Sequence, residues 1–120
     1  MKNKVGNILR KVKNNFKMKK LDMFKWSIND DTLFITPLVN LDFSCRYTLK
    51  KLFDLNVFSK IQINCVNIVT IDSSVIGLLI IELKKKKDIS LICTEGHHIV
   101  SILKLLGLTK HIKIIYENSK

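Results

Sequence analysis

Apolar residues change their spacing several times along this chain, and each change marks an element. Phe24, Trp26 and Ile28 alternate with Lys25, Ser27 and Asn29, the two-residue period of a strand with one buried face. Residues 32–36, TLFIT, read as a second strand after a turn at residues 29–31, NDD, where Asn and Asp suit a tight backbone. Pro37 has no N–H to give a ladder and should end that strand or sit at its edge. The spacing then lengthens. Cys45, Leu49, Leu52 and Phe53 fall on one side of a helix, with Asp42 ahead of them as a cap for free backbone N–H groups. Ile61, Ile63 and Cys65 alternate again. From Ser73 to about Lys87 the pattern is helical and ends in four lysines, which suit the negative pole of a helix. Residues 89–93 read as a strand. Residues 96–106 read as a helix with Ile99, Ile102, Leu103 and Leu106 on one face and Gly107 as its stop. Residues 112–116 read as the last strand.

The order is therefore ββαβαβαβ. Strands alternating with helices predict an α/β fold: a mixed sheet of about five strands, partly parallel, with helices packed on it. The chain has 120 residues, 47% of them hydrophobic, which suits one domain with one core. Its longest apolar runs are shorter than the roughly 20 residues needed to span a bilayer, and no secretory pattern opens it. The expected location is the cytoplasm.

Charge changes the picture at one end only. The net charge is +11, but residues 1–20 hold eight Lys or Arg and no acid, while residues 21–120 hold thirteen against ten acids. The expected organisation is a basic tail, 1–20, followed by a nearly neutral domain, 21–120. Within the tail, Val5, Ile8, Leu9, Val12 and Phe16 recur at helical spacing. A short basic amphipathic helix of this kind can lie on an anionic membrane surface, meet an acidic partner or dock on its own domain. A nucleic-acid role would rest on tail charge alone, because the domain offers no aromatic platform on a basic face.

Little in the chain points to catalysis. Cys45, Cys65 and Cys93 are scattered and odd in number, which argues against a disulfide framework or zinc site. His97 and His98 are adjacent, so on a helix they point about 100° apart and cannot readily share a metal. No nucleophile elbow, phosphate loop or dinucleotide fingerprint occurs. The expectation is a binding protein without catalytic residues, metal or cofactor.

The stretch IDSSVIGLL, residues 71–79, is different. Asp72, Ser73 and Ser74 stand where a strand gives way to a helix, beside unpaired N–H groups and a positive local dipole. They make a good helix cap. A phosphate on such a serine would also be tolerated by the fold and would add close to two negative charges next to Asp72.

Three segments, CVNIVTIDSSVIGLLIIELKKKK (65–87), ISLIC (89–93) and GHHIVSILKLLGLTKHIKI (96–114), resemble the STAS domain family, and within it the bacterial anti-sigma factor antagonists. The resemblance runs over roughly residues 24–116. It implies a phosphorylation-switched module for protein–protein interaction in transcription regulation. Ser73 would be the phosphoacceptor, with Asp72, Ser74, Asp42 and Asn64 as its neighbours. The implied partner is an anti-sigma factor that is also a serine kinase, bound when Ser73 is free and released when it is phosphorylated. The chain departs from the family pattern at Val75, where a glycine follows the serines, and at Val39, where a glycine precedes Leu-Asp; Gly77 keeps the second glycine. Gly96 and His97 replace the usual Ser-Pro, Val100 and Ser101 a basic pair, and little chain remains for a final helix.

Seven of the nine residues from Val75 to Leu83 are aliphatic, more than one buried helix face requires. The excess predicts either a deeply buried helix or an exposed apolar strip for a partner, and the strip, at Val75, Ile76, Gly77, Leu79 and Ile80, is the expectation taken forward. An alternative within the same resemblance is a STAS subunit of a membrane transport system of the phospholipid ABC transporter type. That protein would bind its ATPase subunit through this helix without phosphorylation.

Overall fold

The computed structural model of the chain describes residues 19–20 and 23–117. One sheet holds six strands in chain order: β1 (Lys19–Lys20), β2 (Phe24–Asn29), β3 (Thr32–Pro37), β4 (Lys60–Asn64), β5 (Asp88–Cys93) and β6 (Ile112–Tyr116). β1, β2 and β3 pair antiparallel, and β3 to β6 pair parallel. Three helices, α1 (Arg46–Phe53), α2 (Ser73–Lys84) and α3 (His98–Leu105), fill the connections between the parallel strands. The expected ββαβαβαβ order is present, with β1 as a two-residue stub before it. Lys19 and Lys20, expected in the tail, pair with Lys25 and Trp26 of β2. The helix expected in residues 1–20 otherwise lies outside the described residues.

Element ends differ from expectation for local reasons. Asp42 caps a 3-10 turn at Phe43–Cys45, and the regular helix begins only at Arg46. α2 ends at Lys84 because Lys86 takes a left-handed conformation, φ 69°. The Lys86 N–H then reaches the Leu83 carbonyl and the Lys87 N–H the Glu82 carbonyl, which closes the helix in a Schellman motif. At the end of α3 the same left-handed turn falls on Gly107, φ 72°, where no side chain opposes it.

Each parallel crossover steps to the next strand in the same direction. Right-handed crossovers that always step the same way place every helix on one face of the sheet. The burial agrees. Phe24, Trp26, Ile28, Leu33, Ile35, Ile61, Ile63, Ile89, Leu91 and Ile112 alternate along the strands and form one core with Leu49, Leu52, Phe53, Val75, Leu79, Ile99 and Leu103 of the helices. Burying each such aliphatic side chain contributes about 2 kcal/mol. The alternate strand positions are half-buried or exposed.

Candidate functional site

Beyond the carboxyl ends of β3 and β4, Leu41 and Ile71 form an isolated parallel bridge. The Leu41 N–H donates to the Thr70 carbonyl at 3.2 Å and the Asp72 N–H to the Leu41 carbonyl at 2.9 Å. The next residue in each strand extension is an aspartate, so Asp42 and Asp72 end up neighbours although far apart in sequence. Each caps the turn that follows in the same way. Asp42 Oδ1 accepts from Ser44 N at 3.0 Å and Ser44 Oγ at 2.5 Å. Asp72 Oδ1 accepts from Ser74 N at 3.0 Å, Ser74 Oγ at 2.5 Å and Val75 N at 3.3 Å. The Ser74 hydroxyl holds the Asp72 carboxyl below its ordinary value. Burial opposes this, and the N–H groups of Val75, Phe43 and Ser74 add to it.

The two serines therefore differ. Ser74 gives its hydroxyl to Asp72. Ser73, the first residue of α2, is exposed, and its hydroxyl makes no hydrogen bond among the described residues. It stands at the positive end of a twelve-residue helix, directly after Asp72.

Asn40, which the chain pattern did not single out, and His97, weighed there only as a metal ligand and as a departure from the pattern, hold this corner in place. Asn40 Oδ1 accepts from Val69 N at 2.8 Å and Thr70 N at 3.3 Å, joining the two loops that carry the aspartates. His97 caps α3: its Nδ1 accepts from Ile99 N at 3.1 Å. Nε2 then carries the ring proton and faces the carbonyls of Cys65 at 2.9 Å and Ile68 at 2.7 Å. The segment leading to Asp72 is thus fastened to α3 by one side chain. The available signal was a polar residue in the first turn of the stretch expected to be helical. Asn64 does not join the caps; its carboxamide closes a local turn by accepting from Val66 N at 3.1 Å.

α2 corrects the expectation of an apolar strip. Val75 and Leu79 are fully buried and Ile76 nearly so, because this helix is covered by the sheet on one side and by α1 beside it. Val75 and Leu79 are core residues and offer nothing to a partner. What remains open is a groove of about 330 Å³ lined by Ser73, Ile76, Gly77, Ile80, Leu106 and Leu108. Ile76 supplies part of its wall, and Gly77 and Ile80 are half-buried at its surface. A Cβ at Gly77 would meet nothing within 4 Å, so the glycine keeps the groove deep rather than relieving a clash. Exposed apolar side chains also occur on the elements and loops around it in the chain: Phe43 (74% exposed), Val69 (67%), Ile81 and Leu105.

No protein-family model matches this chain, and no curated protein matches it. Solved structures do. One is the crystal structure of TM1081 from Thermotoga maritima, a candidate anti-sigma factor antagonist, with a TM-score of 0.65 and 23% identity over 81% of this chain and 86% of that one. The NMR structure of the same protein gives 0.64 and 25% over 82% and 84%. Another is SpoIIAA, a Bacillus cell fate determinant, in its phosphorylated form, with a TM-score of 0.55 and 16% identity over 78% and 92%. The chain has the fold of these STAS-domain proteins.

Proposed function

We propose that this chain is an anti-sigma factor antagonist, a protein-binding module switched by phosphorylation of Ser73. The observation that carries the reading is the division of labour between the serines: Ser74 maintains the cap, and Ser73 is left exposed at the head of α2 with no hydrogen bond to its hydroxyl among the described residues. The proposed partner is an anti-sigma factor with serine kinase activity. It docks over the groove beside Ser73 and the apolar loop residues Phe43 and Val69, where a large exposed apolar area suits an interface. In that complex the kinase transfers the γ-phosphoryl group of its ATP to Ser73 Oγ. The new O–P bond forms as the bond to ADP breaks, and the hydroxyl proton passes to the kinase. The phosphate brings close to two negative charges next to Asp72 and Asp42. The positive end of the helix dipole tolerates it within the domain, but a partner packed there must desolvate the charge, so the complex dissociates. The chain itself acts as ligand and substrate, not as catalyst.

The test measures affinity of the full chain for the anti-sigma serine kinase of the same organism. Wild type and Ser73→Ala should bind alike, and Ser73→Asp should bind on the order of tenfold or more weakly, about 1.4 kcal/mol per decade. Intact mass after incubation with kinase and ATP should rise by one phosphate in wild type and not in Ser73→Ala. Equal affinities for all three proteins would sink the switch. Capture of a transporter ATPase, unaffected by Ser73→Asp, would select the transport-subunit reading instead.

A further inference from the structure

We infer that two copies of this chain join edge to edge through β6, antiparallel, into one continuous sheet. β6 (Ile112–Tyr116) closes the strand order, and its ladder runs to β5 alone among the described residues. The hydrogen bonds tell which of its backbone groups face outward. The Glu117 N–H donates to the Cys93 carbonyl of β5 at 2.9 Å. Along a strand, alternate residues turn both backbone groups to the same side. Lys113, Ile115 and Glu117 therefore point toward β5, and Ile112, Ile114 and Tyr116 point away from it. The N–H and C=O groups of Ile114 and Tyr116 have no backbone partner among the described residues. Such an edge is a template for another strand. Its usual protections are few: β6 has no proline, keeps an unbroken register with β5, and carries a single charge, Lys113. The opposite edge of the described sheet, β1, is two residues long and offers little ladder to pair with.

A second copy fits this edge by charge. Two sheets joined about a two-fold axis keep their faces continuous, so residues of the same alternation stand opposite each other. Centred on Ile115, the pairing sets Ile114 opposite Tyr116 and Lys113 opposite Glu117 on both sides of the axis. Ile114 and Tyr116 are the residues whose backbone groups face outward, so each such pair exchanges both its N–H···O bonds. Tyr116 is 50% exposed and Ile114 half-buried, an aromatic and a β-branched residue that gain from cross-strand contact. Lys113 and Glu117 are both exposed and share the face opposite the helices, where facing side chains lie about 5 Å apart. Centring one residue earlier would set Lys113 against Ile115 instead. The one charge that guards the edge thus fixes the register once its partner is a second copy.

Sedimentation equilibrium of the full chain tests this. A pair of edge strands is small beside a standard interface, so the mass should climb from 13.9 kDa toward twice that value between roughly 10 µM and 1 mM chain. Tyr116→Pro removes an outward donor that the monomer's own ladder does not use. Association should weaken about tenfold or more, with the monomer still folded by circular dichroism. Glu117→Lys sets lysines against each other and should weaken association about fivefold at low salt. The swap Lys113→Glu/Glu117→Lys should bring it back to within about twofold of wild type. A mass that stays at that of the monomer up to about 1 mM overturns the inference. So does a dimer that Tyr116→Pro leaves intact, because it would use another surface. A swap that restores nothing overturns it as well, since the strands would then meet in a different register.

Discussion

A hydroxyl at the head of a helix is either spent on the cap or left for other chemistry, and here adjacent serines take the two roles. Asp72 accepts from the Ser74 hydroxyl and from two backbone N–H groups, so the cap is complete without Ser73. The same bonds make the cap pH-dependent. The folded state holds the Asp72 carboxyl below its ordinary 3.8, so the native protein binds fewer protons there than the unfolded chain. The stabilisation is present above that ordinary value and is lost as pH falls through the lower folded one. Asp72→Asn keeps a capping acceptor but removes the charge. Its melting temperature should lie below wild type near neutral pH, and the gap should narrow as pH falls below that ordinary value. A gap that is constant across that range would show that charge plays no part in the cap.

At the scale of the element, the far end of α2 is held by a buried ion pair. Glu82 is 2% exposed and Lys87 7%. Glu82 Oε2 meets Lys85 Nζ at 3.2 Å, and its Oε1 lies 3.9 Å from Lys87 Nζ with no hydrogen bond. Lys87 donates to the Phe58 carbonyl at 2.8 Å and to Asn56, and its ammonium sits 4.1 Å above the Phe58 ring. Burial pushes that ammonium's pKa down, against the pull of Glu82. Removing one partner strands the other in low dielectric. Lys87→Met should cost about 3 kcal/mol in urea unfolding, and the double variant Glu82→Leu/Lys87→Met should recover most of it. A single variant as stable as wild type would mean that Lys85 alone satisfies Glu82.

For the whole molecule, charge and apolar surface are segregated. Residues 21–120 carry thirteen basic against ten acidic residues, and the excess lies in the first twenty. Contacts to nucleic acid made only by such a stretch are contacts to phosphates, and counterion release makes them steeply salt-dependent. Duplex DNA should therefore bind at low salt and lose most of its affinity by about 0.15 M, read by fluorescence anisotropy, with no preference among sequences. Tight, sequence-selective binding at that salt would contradict the protein-binding reading.

The chain by itself determined the kind and order of the elements, because a period of two or of three to four residues is a local property that backbone geometry imposes. It also determined that Asp72 caps a helix, since the acceptor and its N–H donors are three residues apart or fewer. Tertiary structure decided the rest. Nothing local places Asp42 beside Asp72; the Leu41–Ile71 bridge does. Nothing local says whether a helix that is apolar on most sides exposes the excess or buries it. Val75 and Leu79 went into the core because the sheet and α1 pack against that side of α2, leaving Gly77 and Ile80 at the surface. The histidine that fastens the loop ahead of Ser73 acts across about thirty residues of chain, a distance that only the pairing of β4 with β5 closes.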